Sequence, residues 1–307
     1  VALKDLLPGD PTHLGGYVLA GRLGEGGQGV VYEGYDDGGT RVAVKVLRMD
    51  TADDPHLRGR FAKEVTAATR VASFCTARVV AADLGHTPPY IVSEFVPGPS
   101  LRQAVTDGGP FGGDVLHRLA IAVATALTAV HEAGVVHRDL KPDNVLLGPD
   151  GPRVIDFGIA RTPEMSLTST AKVIGTPTYM APEVLTGLRA GPPADVFAWG
   201  GVVLFAASGR DPFQADSLGG VMHRILTVDP DLSEVPEPLR SLVAAALDKD
   251  PGARPSARDL LLRLVGAVGD PVEAGTRAAA ELGGRAGDPS LSERAEEVYE
   301  RLSPAER

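Results

Sequence analysis

Between residues 137 and 156 the chain sets two polar clusters at the ends of a short apolar hairpin, and few folds use such an arrangement. The loop His137-Arg138-Asp139-Leu140-Lys141-Pro142-Asp143-Asn144 gathers acids, cations and an amide. Val145-Leu146-Leu147 follows, then Pro149-Asp150-Gly151, then Val154-Ile155 and a further acid, Asp156. Apolar runs this short, flanking a Pro-Asp-Gly turn, predict two strands. The hairpin then holds Asn144 and Asp156 at neighbouring strand ends. An amide oxygen and a carboxylate placed so can share a hard cation, which takes oxygen ligands. Asp139 is placed to accept a proton, and Lys141 to neutralise a phosphate. The plainer alternative is a polar surface loop.

A second cluster lies earlier. Gly24-Glu25-Gly26-Gly27-Gln28-Gly29 has the spacing G-x-G-x-x-G. Dinucleotide-binding folds share that spacing, but their glycines open a helix. Here they run into Val30-Val31-Tyr32-Glu33-Gly34-Tyr35, a turn at Asp36-Asp37-Gly38-Gly39, and Val42-Ala43-Val44-Lys45-Val46-Leu47. That is strand, turn, strand, with the glycines at a hairpin bend where bare backbone N–H groups can approach phosphate. A merely flexible hairpin is the alternative. Alternation puts Lys45 on a face with Ala43 and Leu47, so it has no charged neighbour on its own strand. Glu64 is the one acid between residues 55 and 82, on a helical stripe with Phe61, Ala68 and Val71. A carboxylate on an apolar stripe is costly unless paired. Lys45 is the expected partner; an exposed Glu64 at the stripe's edge is the alternative.

These segments together resemble the bacterial, eukaryotic-like serine/threonine protein kinase family: the glycine loop, the Val42-Ala43-Val44-Lys45 strand, the His137–Asn144 loop, Asp156-Phe157-Gly158 and Ala181-Pro182-Glu183. The resemblance covers about residues 14–268. It implies an α+β, two-lobed protein kinase fold: a small antiparallel β-sheet lobe with one main helix, and a larger, mainly helical lobe. Residues 1–13 form a polar lead-in, 14–96 the small lobe, 97–268 the large lobe and 269–307 a helical tail outside the family pattern. By the same resemblance ATP lies against Leu23, Gly24, Glu25, Gly26, Gly27, Gln28, Gly29, Val30, Val31, Ala43 and Lys45. The backbone of Glu94 and Val96 meets its adenine. Ser93 gates the space behind adenine, and its small side chain implies an enlarged rear pocket unless a neighbour fills it. Asn144 and Asp156 hold magnesium, with manganese as a substitute. Asp139 takes or orients the substrate hydroxyl proton, Lys141 steadies the γ-phosphate, and Thr176 bonds near both. Glu183 and Arg254 pair beneath the peptide platform, and Asp195 braces the catalytic loop. Thr168 and Thr170 stand where related chains carry activating phosphates, with Arg138 to receive them. Gln28 departs from the family's usual hydrophobic residue at the loop tip.

Bulk properties narrow the rivals. A net charge of −10 leaves no basic surplus for a nucleic-acid backbone. A single cysteine, Cys75, excludes an internal disulfide and fits a reducing cytosol, so the expectation is a cytoplasmic protein. The longest uncharged apolar run, 119–130, is too short for a membrane span, and residues 1–15 carry no signal-peptide pattern. In the tail, Leu291, Ala295, Val298, Tyr299 and Leu302 recur at helical spacing, behind a possible capping box at Ser290 and Glu293. That helix would dock on the large lobe, or serve a dimer or another partner. Protein substrates are the expectation. The rivals are a nucleotide-binding scaffold without turnover and a small-molecule, antibiotic-type phosphotransferase.

Overall fold

The chain's computed structural model describes residues 3–26, 29–47, 63, 65–69, 71, 75–156 and 177–266. Six strands form one antiparallel sheet in the order β1-β2-β3-β4-β6-β5. They are β1 (His13–Leu14), β2 (Tyr17–Gly26), β3 (Gly29–Tyr35), β4 (Arg41–Leu47), β5 (Val79–Asp83) and β6 (Tyr90–Glu94). Alternation decides which face each side chain takes. Val30, Tyr32, Val42, Val44, Tyr90 and Val92 pack with Leu14 and Leu19 on one face. Ala43 and Lys45 emerge half-buried on the other. The turn between β3 and β4 is built by Asp36, whose Oδ1 accepts from the N–H groups of Gly38 (2.9 Å) and Thr40 (2.7 Å). Of the expected small-lobe helix, residues 63 and 65–68 are helical, whereas Thr69 and Val71 of the same segment are turn and bend.

The predicted apolar hairpin is present as β7 (Val145–Gly148) and β8 (Gly151–Val154), in register from Val145↔Val154 to Gly148↔Gly151. It is clasped from two sides. Val154 exchanges backbone hydrogen bonds with Cys75 and Ala77, and the Leu147 N–H donates to the Pro99 carbonyl at 2.9 Å. Gly98 makes the second clasp possible. Its φ is +117°, and a Cβ there would stand 2.2 Å from the Leu147 carbonyl oxygen. Only glycine fits.

The larger lobe is helical: α1 (Leu101–Gly108), α2 (Gly113–Glu132), α3 (Pro182–Leu185), α4 (Pro192–Ser208), α5 (Leu218–Thr227), α6 (Leu239–Ala246) and α7 (Ala257–Val265). On α2, Leu116, Leu119, Ala120, Val123, Leu127 and Val130 recur at helical spacing and are fully enclosed. So are residues between them, such as Ile121, Ala124 and Ala126, because α2 is packed on every side. By length and composition α2 is apolar enough to cross a membrane, but 83% of that stretch is buried inside this protein. Trp199 on α4 donates its indole N–H to the Ala120 carbonyl at 3.0 Å, fastening the two central helices. The last helix starts three residues before its apolar run. Ser256 and Asp259 form a capping box there, and Gly266 ends the helix at φ +62°.

Candidate active site

The cleft face of the sheet carries Lys45. Val31, Lys45 and Ile91 lie opposite one another across β3, β4 and β6, with Gly24 facing Val31 from β2. Their side chains therefore share a face. Ala43 is opposite Ser93, which is opposite Val79. Val30 is packed in the opposite-face core, so adjacent Val30 and Val31 serve different surfaces. The glycines divide likewise. At Gly29, φ is +146° and a Cβ would stand 1.8 Å from the Val46 carbonyl oxygen, so the backbone itself requires glycine. At Gly24 and Gly26 an added Cβ meets nothing within 4 Å among the described residues. Glycine there keeps clear a space the fold does not use. Gly27, Gln28 and Glu64 lie outside the described residues. Leu23 is half-buried at the start of the turn, and the Glu25 carboxylate accepts from Arg22.

Behind the sheet, Glu94 ends β6. Its N–H donates to the Arg78 carbonyl at 2.8 Å, and its carboxylate meets Arg153 Nη1 at 2.7 Å. Val96, Ala77 and Leu146 form a small apolar cluster against Ile155. Of these residues only Val96 is an expected contact; Ala77, Leu146 and Ile155 sit in different segments and read in sequence as ordinary core.

The loop before β7 is held by a buried carboxylate. Asp195 accepts from the N–H groups of His137 (2.7 Å) and Arg138 (2.8 Å), and meets His131 Nε2 at 2.8 Å. His137 is fully buried. Its Nε2 lies 3.0 Å from the Ile155 carbonyl, and its Nδ1 accepts from the Asp139 N–H at 3.3 Å. That pair of contacts assigns the proton to Nε2. Burial pushes the imidazole pKa below its ordinary value, against the pull of Asp195.

Five side chains lie beside this brace. Lys141 Nζ is 3.0 Å from Asp139 Oδ2. Asn144 Nδ2 donates to the Asp139 carbonyl (2.7 Å) and to Asp139 Oδ2 (3.3 Å). The Ile155 N–H donates to the Asn144 carbonyl at 2.9 Å, which carries Asp156 up to the loop. Asp156 Oδ2 in turn meets Lys45 Nζ at 3.2 Å, across the cleft between sheet and hairpin. Among the described residues, two non-glycine residues adopt left-handed backbone, Arg138 (φ +63°) and Asp156 (φ +57°). Such strain costs about 1–3 kcal/mol and gathers at functional sites.

The donor set suits a hard cation. Asn144 uses its amide nitrogen within the loop, which leaves the oxygen as its ligand atom, and Asp156 offers a carboxylate. No cluster of three or more His, Cys, Asp or Glu side chains suited to a metal occurs among the described residues. One carboxylate and one amide oxygen, completed by phosphate oxygens, match how magnesium is held with nucleotides.

Below the loop, Glu183 and Arg254 form a buried two-pronged pair, both contacts at 2.8 Å. Arg254 also donates to the carbonyls of Asp248, Pro193 and Lys249. Tyr179 donates to Asp211 at 2.5 Å, and Arg102 joins Asp211 to Asp143 of the catalytic loop. That junction escaped the sequence reading because its members come from four separate segments. Thr176, Thr168, Thr170 and the tail 269–307 lie outside the described residues.

Comparison with known proteins agrees with this geometry. The protein kinase domain family matches residues 17–263. The probable serine/threonine-protein kinase PkwA of Thermomonospora curvata is 48% identical over 263 residues, covering 85% of this chain and 35% of that protein. The serine/threonine-protein kinase AfsK of Streptomyces coelicolor is 42% identical over 257 residues, covering 83% and 32%. The probable kinase PknB of Corynebacterium glutamicum is 39% identical over 225 residues, covering 70% and 34%. The chain thus spans about a third of the length of these curated relatives. Among solved structures, Rad53 1-466 in complex with AMP-PNP superposes with a TM-score of 0.67 at 23% identity, covering 80% of this chain and 64% of that one. That likeness bears on the fold alone. With the two-lobed fold, the clustered loop residues and a family match across nearly all the described residues, this chain belongs to the protein kinase domain family.

Proposed function

We propose that this chain is the catalytic part of a serine/threonine protein kinase that moves the γ-phosphoryl group of ATP to Ser or Thr hydroxyls of proteins. The observation that carries the reading is that Lys45 of the sheet meets Asp156, whose strand end is bonded through Ile155 to Asn144 in the loop that holds Asp139 and Lys141. In the reaction the bond between the γ-phosphorus and the bridging oxygen of ADP breaks. A bond forms between that phosphorus and the substrate oxygen, and Asp139 takes the hydroxyl proton. Lys45 and Lys141 hold phosphate oxygens, and the small-lobe turn at Gly24–Gly29 covers the phosphates. Adenine rests on the Val96, Ala77 and Leu146 floor and bonds the backbone of Glu94 and Val96. Asn144 and Asp156 would hold a magnesium or manganese ion, which when bound neutralises charge on the transferring phosphates. Thr176 joins the substrate side of Asp139 and Lys141, and Asp195, Glu183 and Arg254 keep loop and platform in place. The autophosphorylation sites are Thr168 and Thr170, read by Arg138. The setting is the cytoplasm, and the tail at 269–307 supplies a dimer or partner contact.

The test is transfer of labelled γ-phosphate to a generic protein substrate and to aminoglycosides, with Asp139→Ala as control. Transfer to protein Ser or Thr, lost in the variant, supports the reading. Transfer to the small molecules alone, or nucleotide binding without any transfer, sinks it. Intact-mass analysis of Thr168→Ala and Thr170→Ala after incubation with ATP tests the activating sites; unchanged phosphate and rate exclude them.

A further inference from the structure

The polar lead-in before the first strand is tied to the glycine turn through one buried carboxylate. Asp10 is 7% exposed and uses both oxygens twice. Oδ2 accepts from Arg22 Nε (2.6 Å) and the Leu7 N–H (2.8 Å). Oδ1 accepts from Arg22 Nη2 (2.6 Å) and the Tyr32 hydroxyl (2.8 Å). Arg22 has a third prong, Nη1, 2.9 Å from Glu25 Oε2 within the glycine segment. The Arg22 backbone is gripped as well, since its N–H and carbonyl pair with those of Lys4 at 2.7 and 2.9 Å. Arg22 holds the Asp10 carboxyl well below the usual carboxylate range, so the contact is charged at any ordinary pH.

The position of Arg22 in its strand gives this contact a purpose. The β2–β3 ladder slips register twice, between Leu19 and Gly21 and again between Arg22 and Gly24. Each slip leaves a residue out of the ladder and bends the strand. Arg22 therefore lies between two irregularities of the ladder, and regular pairing resumes only at Gly24↔Val31. Residues 3–10 press on this part of β2 from its other side. A Cβ on Gly21 would stand 2.6 Å from the Lys4 carbonyl oxygen and 2.8 Å from Leu3 Cδ1. Further along, β1 pairs with β2, and the Leu19 N–H donates to the Thr12 carbonyl at 2.8 Å.

We infer that residues 3–14 brace the phosphate-covering turn, and that Asp10 is a positioning residue for ATP acting through Arg22. The inference rests on the assignment of residues 24–29 to the phosphates. Its reach is specific: among the described residues the hydrogen bonds of Asp10 go to Leu7, Arg22 and Tyr32. Loss of the carboxylate therefore weakens nucleotide binding and leaves the chemical step and peptide binding alone.

The experiment measures KM for ATP, KM for a peptide, and kcat in the full chain, well below the melting temperature. Asp10→Ala should raise KM for ATP about 5- to 10-fold, with the other two constants within about 2-fold. Asp10→Asn, which keeps an acceptor and loses the charge, should fall between. Tyr32→Phe removes one bond to Asp10 with little change of shape and should raise KM for ATP about 2-fold, so the test survives if Asp10→Ala fails to fold. Gly26→Val separates the two levels of the argument, since a Cβ at Gly26 meets no described residue within 4 Å. An unchanged KM for ATP in Gly26→Val overturns the phosphate assignment. A raised value there, with Asp10→Ala, Asp10→Asn and Tyr32→Phe unchanged or affecting all constants equally, overturns the brace alone.

Discussion

Lys45 Nζ stands 3.2 Å from Asp156 Oδ2, so the sheet and the large-lobe hairpin meet at the two groups proposed to serve the same triphosphate. The cation waits beside the carboxylate that would share its ligand. Lys45→Met should lower kcat/KM by about 10²–10³-fold, the usual cost of removing one aimed electrostatic group. Circular dichroism should be unchanged, because Lys45 lies on the cleft face and outside the small-lobe core. A variant with near-parental transfer would remove Lys45 from the site.

Among the described residues, the Asp139 carboxylate meets Lys141 and Asn144 of its own loop. Asn144 grips the Asp139 backbone carbonyl as well as its side chain, so the loop keeps one of its ties when the carboxylate is replaced. Asp139→Asn should cut kcat about 10²–10⁴-fold, the range for a lost general base. ATP binding, followed with a fluorescent nucleotide, should stay within about 2-fold.

Arg254 uses each of its three nitrogens and has no exposed side-chain surface. Arg254→Ala leaves Glu183 charged and enclosed, and should cost about 3–5 kcal/mol in urea unfolding. Arg254→Lys should recover only part, because an ammonium lacks the planar fork. Full recovery with lysine would show that charge, not geometry, is what Glu183 needs.

His137 gives a pH dependence with a definite sign. Burial sets its folded pKa below the ordinary value of about 6.5, so the unfolded chain takes up this proton more readily. The contribution is present in full above about pH 6.5 and is lost as pH falls through the folded pKa. Melting temperature should therefore drop from pH 7 toward pH 5, and His137→Asn should show a shallower drop. An equal slope in parent and variant would dissociate His137 from the effect.

Cys75 is enclosed behind the hairpin, and burial pushes its thiol up to about 12. Alkylation by iodoacetamide at pH 8 should be negligible in the folded protein and complete in urea. Rapid labelling of the native chain would mean that the 75–77 clasp on Val154 opens readily.

Much of the site was legible because its chemistry is local. Asp139, Lys141 and Asn144 fall within six residues, and the hairpin to Asp156 needs only short apolar runs and one turn. The alternation around Lys45 set its face correctly, since a strand's period is two whatever surrounds it. The two valines after the glycines show where spacing alone falls short: one belongs to the core and the other to the cleft, and the strand's partner decides which. The start of α7 is a similar case, since capping by Ser256 lies outside the apolar pattern that marks the helix.

Chain order placed the candidate groups, because the spacing of each set lies within a single loop or strand. Folding decided what holds those groups still. Asp195 on the loop backbone, Arg254 on Glu183, Asp10 on Arg22 and Arg102 between Asp143 and Asp211 are pairs from distant segments. Each joins partners that no local periodicity relates. A buried charge takes whichever partner packing brings within hydrogen-bond reach, and that choice exists only after the core has formed.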